Sequence, residues 1–398
     1  MKKIGVILTN LLFVIAGCRD NRESNDSLIT VDVTRRYLQK EMILQDFMDV
    51  EYIALETTDE FITQGVLMDV GKEFIVVKNG IEDGSIFIFD RKGNGIRKIN
   101  RKGQGGEEYI SISNIVLDEF KNEIFVNDLT SHRTIIYDIE GKYKRSFRYK
   151  EGIMNTHLYN FDKDNLVYYN SFWGYENKEN NHPFLIISKQ DGSDIKEVNI
   201  PYREKIVPFL SIRDEKAKMT LMSIPSTSFP IIPFFSNMIL AEPSADTLYI
   251  YYPNHIMLPF VARTPSIHSM DPKIFLFIST LTDRYYFMET VKKVYDFSTR
   301  EGFPSVNIVY DTLEKVIYEY KVYNDDYTNK EEVHMKSKPL SDEILNWQLL
   351  PVHRLIESNK KGQLKGILKE IAAELEEESN PVIMLMKQKS LVDTKFKR

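Results

Sequence analysis

From residue 50 to about 330 the chain is written in short apolar runs rich in Ile, Val, Phe and Tyr, with Gly, Asn and Asp between them. Examples are "EFIVV" (73–77), "SIFIFD" (85–90), "EIFVND" (123–128), "TIIYDIEG" (134–141), "NLVYYN" (165–170), "FLIIS" (184–188), "DTLYIYY" (246–252) and "KVIYEYKVY" (315–323). Several alternate at period two, as half-buried strands do. The 22 Tyr and 23 Phe are a high load of residues that suit pleated surfaces.

The runs also repeat. "IFIFDRKGNGIRKI" (86–99) aligns with "TIIYDIEGKYKRSF" (134–147) and less closely with "FLIISKQDGSDIKEV" (184–198). Each is a strand, a polar turn with glycine, and a second strand. Asp90 and Asp138 are 48 residues apart, Ser188 follows 50 later, and "KEFIVVKNG" and "NEIFVNDLT" are offset by 50. A period of about 40–50 residues holding four strands is the signature of propeller blades. The expected fold is therefore all-β, a six-bladed β-propeller of four-stranded antiparallel blades. A single β-sandwich would not produce the regular spacing.

Two segments depart from the pattern. "SIPSTSFPIIPFF" (223–235) carries three prolines among apolar residues, which predicts an extended edge or covering loop, because proline cannot serve a central ladder. Beyond 340 the period becomes helical. Ser341 is a candidate N-cap, and Leu364, Ile367, Leu368, Ile371, Ala372 and Leu375 fall on one stripe. Pro381 stops it, and "PVIMLMK" reads as a strand. The prediction is a helical insertion at about 341–379 and a closing strand at about 381–388. An open propeller would leave unpaired edges, so the strands around "YIALET" (52–57) and "VIMLMK" (382–387) are expected in or beside one closing blade.

The N-terminus adds a location. "MKKIGVILTNLLFVIAGC" has two lysines, an apolar run from Ile4 to Ala16, and small residues before the only cysteine. Thirteen helical residues rise about 20 Å, short of a hydrocarbon core of about 30 Å, so a secretory signal is the reading. "IAGC" also resembles the lipobox of bacterial lipoproteins, which makes Cys18 the expected lipidation site and the first mature residue. Residues 1–17 are then the signal peptide, 18–30 a flexible tether, and 31–398 the propeller. With no other cysteine the body has no disulfide, and its stability rests on its core. Removing residues 1–17 takes two of 52 basic residues, leaving 50 against 58 acidic, a net of −8. That balance argues against nucleic-acid binding, which needs a basic face.

Candidate chemistry is sparse. "RKGNGIRKINRKGQGGEEY" (91–109) holds five glycines, but a phosphate loop needs glycines that lead into a helix N-terminus, and this one runs into β-branched residues. Gly93 and Gly95 are expected at a hairpin reversal with positive φ, and Gly103, Gly105 and Gly106 at a crossing between blades. The seven histidines show no metal-ligand spacing, no G-x-S-x-G elbow occurs, and no cofactor is implied. A binding surface remains. Arg101 sits at the propeller rim. "VNDLTSHRT" (126–134) places Asp128, His132 and Arg133 in a link between strands, and the long insertion "YYNSFWGYENKENNHPF" (168–184) carries Phe172, Trp173 and Tyr175. Loops on propeller faces often bind ligands, and such aromatics can stack on a sugar or grip a peptide.

"VEYIALETTDEFI" (50–62), "FIFDRKGNGIRKINRKGQGGEEYISISNIVLD", "NEIFVNDLTSHRTIIYDIEGKYKRSF" and "ESNPVIMLMKQK" (378–389) resemble the six-bladed β-propeller lipoproteins of Bacteroidetes, a family related in style to NHL-repeat propellers. The chain departs from the usual pattern at Gly106, where that family more often has Pro, and at Ser379, where it more often has Asp. The resemblance implies architecture and a cell-envelope, outer-membrane location, and no catalytic residues. Two functional classes follow. One is a lipid-anchored binding or scaffold module with a monomeric body, taking a glycan, a peptide or an envelope protein. The other is a propeller enzyme of glycosidase, lyase or lactonase type working at the central channel.

Overall fold

The computed structural model describes residues 28–389 apart from 81–82, 150–154, 171–182, 215 and 217. Its strands form six blades. The first is Val66–Val70, Phe74–Lys78, Ser85–Asp90 and Gly95–Asn100, and the second is Asn114–Asp118, Glu123–Asp128, Arg133–Asp138 and Tyr143–Arg148. The third is Asn155–Asn160, Asn165–Asn170, Phe184–Ser188 and Asp194–Val198. The fourth is Ile231–Phe234, Asn237–Leu240, Thr247–Tyr251 and Met257–Thr264, and the fifth is Ile274–Leu281, Tyr285–Lys292, Ser305–Asp311 and Val316–Asn324. Within each blade successive strands pair antiparallel, and the first strands of neighbouring blades lie side by side around a central channel.

The sixth blade is shared by the two ends of the chain. Ile344–Leu350 pairs with Val382–Gln388, which pairs with Met48–Ala54, so Tyr52 faces Met384 and Ala54 faces Val382. Residues 334–340 run along the inner side of Ile344–Leu350 without a ladder, tied by side chains. Asn346 Nδ2 donates to the His334 carbonyl (3.2 Å), Ser337 Oγ to Trp347 O (2.5 Å) and Trp347 Nε1 to Lys338 O (3.0 Å). Ser279 of blade five holds the segment from its other side, donating to Met335 O (2.5 Å).

The core lies between blades. Six apolar clusters fill the six interfaces, and neighbouring residues of one strand serve different clusters. Ile75, Val77, Phe87 and Phe89 pack on blade six, whereas Val76, Ile86 and Ile88 pack on blade two. Both faces of the inner strands are thus dry, which is why "IFIF" and "FIVV" are continuous rather than alternating.

The repeated turn has one construction. Asp90 N donates to Asn94 O and Gly93 N to Asp90 O, and the same pair recurs at Asp138 with Lys142 and Gly141, and at Ser188 with Ser193 and Gly192. Gly93 has φ +90°, and a Cβ there would lie 2.1 Å from the carbonyl oxygen of Ala54 in the preceding blade. Gly141 and Gly192 press in the same way on Ile99 and Phe147. Gly95, by contrast, is not in the left-handed region; a Cβ there would strike the Phe61 ring at 2.7 Å. Its smallness serves packing, not reversal.

Other expectations are corrected. The segment expected to be helical from 341 begins as the strand Ile344–Leu350, because the helical apolar spacing starts only after Pro351. The helices are Val352–Lys360 and Gly366–Glu374. Leu368 and Ala372 are buried on the blade-five and blade-six core, but Ile367 is 55% exposed and lies off the stripe. In the proline-rich segment Pro233 sits inside Ile231–Phe234, an edge strand at the channel, where only one side is laddered and the missing N–H is tolerated. The expected tether to residue 30 overruns a strand, since Ile29–Asp32 adds parallel to the outside of blade four. Gln39–Ile43 then does the same on blade five before the chain enters blade six. Val31 and Leu44 of this belt are fully buried.

Removing residues 381–398 takes away the middle laddered strand of blade six and strips the partner of Met48–Ala54. The expected outcome is loss of a single cooperative thermal transition for the whole body. A truncated chain that melts like the full one would refute closure through this blade. Gly93→Ala, with its clash against Ala54 and its left-handed backbone, should cost about 2 kcal/mol or more by urea unfolding.

Candidate functional site

Four of the residues singled out from the sequence meet on one face, between blades one and two, where strand-two to strand-three loops and blade crossings lie. Their polar groups serve the fold. Asp128, fully buried at the end of its strand, accepts from Ile110 N (2.7 Å), Ser111 N (3.2 Å) and Ser131 Oγ (2.6 Å). Burial alone would raise its pKa, but the Ser131 hydroxyl and these amides outweigh burial and hold it below the usual carboxylate value. The Arg133 guanidinium donates to the carbonyls of Gly105 (2.9 Å), Gly106 (2.8 Å) and Glu108 (2.5 Å). Arg101 gives its backbone N–H to Tyr109 Oη (2.9 Å) and leaves its side chain exposed. His132 is exposed in a left-handed turn (φ +52°), its ring edge-on to Tyr149. The glycine-rich stretch is thus a crossing clamped by Asp128 and Arg133. Cys18, Phe172, Trp173 and Tyr175 lie outside the described residues.

The opposite face, where each blade's first-to-second and third-to-fourth strand turns lie, carries a concavity. The channel opens there into a recess of about 470 Å³ walled by turns of blades one, two, three, four and six, with Asp69, Phe161, Asn237, Pro253 and Ser341 among its lining. Its carboxylates staple turn to turn. Glu119 of blade two accepts from the backbone of Lys72 (2.7 Å), Glu73 (2.8 Å) and Phe74 (3.0 Å) in blade one. Asp69 of blade one accepts from Leu117 N (2.8 Å) in blade two, and Asp342 of blade six from Ser236 N (2.5 Å) in blade four.

Behind the recess a cavity of about 40 Å³ shares Asp69, Asn160, Pro233 and Leu340 with it and ends on Tyr159 and Lys338. Lys338 comes from the irregular inner segment of blade six. Its ammonium stands 4.4 Å from the centroid of the Tyr159 ring, and no carboxylate of the described residues lies within 4.0 Å of it. Tyr159 Oη and Asn160 Oδ1 are buried and have no hydrogen-bond partner among the described residues, as is Asn114 Oδ1 nearer the other end of the inner strands.

The electrostatics follow from enclosure. Burial pushes Lys338 down to about 8, with the more distant Asp69 charge working against the shift. Burial pushes the Asp69 carboxyl up to about 6, partly offset by the Leu117 amide and the Lys338 charge. His157 is pushed down to about 4 by burial first and by Lys338 second. Paired perturbations of this kind in a cleft mark functional candidates. Among the described residues no group of three or more His, Cys, Asp or Glu is placed to hold a metal ion. The sequence reading missed Asp69, His157, Tyr159, Asn160 and Lys338. The available signal was a polar residue interrupting a first strand, as Asp69 does in "VLMDV" and His157 in "NTHLYN".

The titratable groups facing Lys338 across the channel are Asp69, His157 and Tyr159, from blades one and three. Between pH 8 and 10.5 the unfolded chain holds the Lys338 proton and the folded chain does not, so stability rises with pH there and the full penalty is present at pH 7. Lys338→Met should therefore stabilise the protein at pH 7 by on the order of 2 kcal/mol, with the gap closing as pH rises through 8 to 10.5. Denaturation midpoints of both proteins across pH 6.5–10.5 check this. Asp69 and His157 act in opposite senses between pH 4 and 6. The folded chain holds the extra proton at Asp69 and the unfolded chain at His157, so their contributions offset there.

The sequence profile of a family described as a 6-bladed beta-propeller, DUF5128, matches residues 19–345. Among solved structures, a Bacteroides fragilis protein described as exported is similar, with 15% identity and a TM-score of 0.59, covering 92% of this chain and 100% of its own. A Bacteroides vulgatus member of the DUF4221 family shows 10% identity, a TM-score of 0.48 and coverage of 86% and 99%. Virginiamycin B lyase from Staphylococcus aureus shows 8% identity, a TM-score of 0.34 and coverage of 69% and 88%. No curated protein matches the sequence.

Proposed function

The chain belongs to the DUF5128 family of 6-bladed beta-propellers, and from that premise we propose that it is a lipid-anchored binding module of the cell envelope. The anchor is Cys18, reached through the signal-like segment 1–17, and the destination is the outer membrane. The body works as a monomer, without cofactor and without nucleic acid, and takes a glycan, a peptide or an envelope protein. The observation that carries the reading is the recess on the turn face of the channel. It is built by five blades, lies in the size range of ligand sites, and mixes apolar walls (Phe161, Pro253, Leu340) with polar ends (Asn237, Ser341).

An enzymatic reading draws on one observation, the depressed Lys338 beside the raised Asp69. It would make the same recess an active site, and turnover of a bound ligand would establish it in place of the binding reading.

Pro253 is exposed at the rim, in the turn that Tyr252 and Ile256 close, so Pro253→Trp should fill the mouth without unfolding the blade. In a thermal-shift and calorimetric screen against glycans and peptides, the unaltered protein should bind at least one class saturably. Pro253→Trp should weaken that binding tenfold or more while keeping its melting temperature. Binding indifferent to Pro253→Trp would move the site away from the recess.

A further inference from the structure

We infer that the recess is a subsite for an acidic saccharide, a sugar ring bearing a carboxylate, with Lys338 as the group that receives the carboxylate. This rests on the binding reading above and deepens it. Lys338 lines the small cavity behind the recess with its ammonium over the Tyr159 ring, and no carboxylate of the described residues comes within 4.0 Å. The four acids of the recess are committed elsewhere, since Asp69, Glu119, Asp162 and Asp342 each accept backbone N–H groups. A half-buried cation with no carboxylate in contact, Asp69 standing more than 4.0 Å away, is costly, and an anionic ligand supplies a contacting partner.

Two unpartnered hydrogen-bonding atoms lie close by. The small cavity that joins Lys338 to the recess is also lined by Tyr159 and Asn160, whose Oη and Oδ1 are buried and without partners among the described residues. The phenol offers a donor to a carboxylate oxygen, and the amide oxygen an acceptor for a neighbouring hydroxyl. A group that is charged and carries adjacent hydroxyls answers all three atoms. A simple inorganic anion answers only the donors.

Phe161 lines the recess and is itself backed by the His255 ring, stacked at 6.1 Å and 7°. A ring braced in this way gives a flat apolar face for the C–H side of a sugar, while Asn237 and Ser341 stand among the lining groups.

The test is calorimetry on the purified chain at pH 7, using galacturonate and glucuronate oligosaccharides, each against its methyl ester, which keeps the sugar and removes the charge. The acidic forms should bind at least tenfold more tightly than the esters. Lys338→Met, which removes a half-buried charge with no carboxylate in contact and so should fold, should bring acidic and esterified forms to equal affinity. Lys338→Arg should keep part of the preference. Equal binding of acid and ester by the unaltered protein overturns the inference, and so does an acid preference that survives Lys338→Met. Recess binding confined to peptides, blocked by Pro253→Trp, would overturn the saccharide assignment and leave the binding-module reading standing. Absence of any ligand sensitive to Pro253→Trp would remove both.

Discussion

The second and third strands of blade one are apolar on both faces, and neither face can be left wet. Burying a side chain such as Val77 or Phe87 contributes about 1.5–3 kcal/mol, and each blade offers such residues to both neighbours. A row of blades would expose the outer faces of its first and last members, so the pattern demands a ring. The ring in turn demands a blade in which the chain ends meet. Met48–Ala54 and Val382–Gln388 are that junction, and the belt of residues 28–47 across blades four and five tightens it. Because the junction joins residues more than 300 positions apart, formation of blade six must come at the cost of a large loop-closure entropy. The repeated turn glycines, each pressed on the blade before, let the remaining interfaces close without voids.

Most of this was legible in the chain because propeller blades are local. Four strands and three turns recur within about 50 residues, so strand runs and turn residues could be read and aligned directly. The misreadings share a cause: each concerns a residue whose role is set by something distant in sequence. Ile344–Leu350 looks helical next to the true helices that follow, but its partner is Val382–Gln388. Gly95 reads as a turn residue, while its constraint is the Phe61 ring. The belt strands "ITVD" and "QKEMI" are too short to announce themselves, and their partners are Met257–Thr264 and Val316–Asn324.

The candidate site was less legible for the same reason. Asp128, His132 and Arg133 attracted attention because polar residues cluster between two clear strands. Two of them turn out to clamp the glycine-rich crossing, Asp128 through its carboxylate and Arg133 through three carbonyls. The residues that meet in the channel come from three blades and are more than 250 positions apart at the extremes. Each looks ordinary alone: Asp69 in one strand, His157, Tyr159 and Asn160 in another, Lys338 in a short stretch of no fixed period. Only the ring brings them together.

Lys338 occupies an inner position of blade six where closure leaves the backbone without a ladder. Residues 334–340 enter after blade five is complete and are held by Asn346, Ser337, Trp347 and Ser279, not by strand pairing. A segment fixed by side chains sets this lysine across the channel, opposite Asp69 and His157 of the laddered first strands. The lysine's ammonium gives the fold no ion pair or hydrogen bond among the described residues, and its desolvation works against stability. Local choices elsewhere in the molecule agree with the fold, from the turn glycines to the apolar strand faces. The position where they do not agree is therefore where a role other than folding is to be sought.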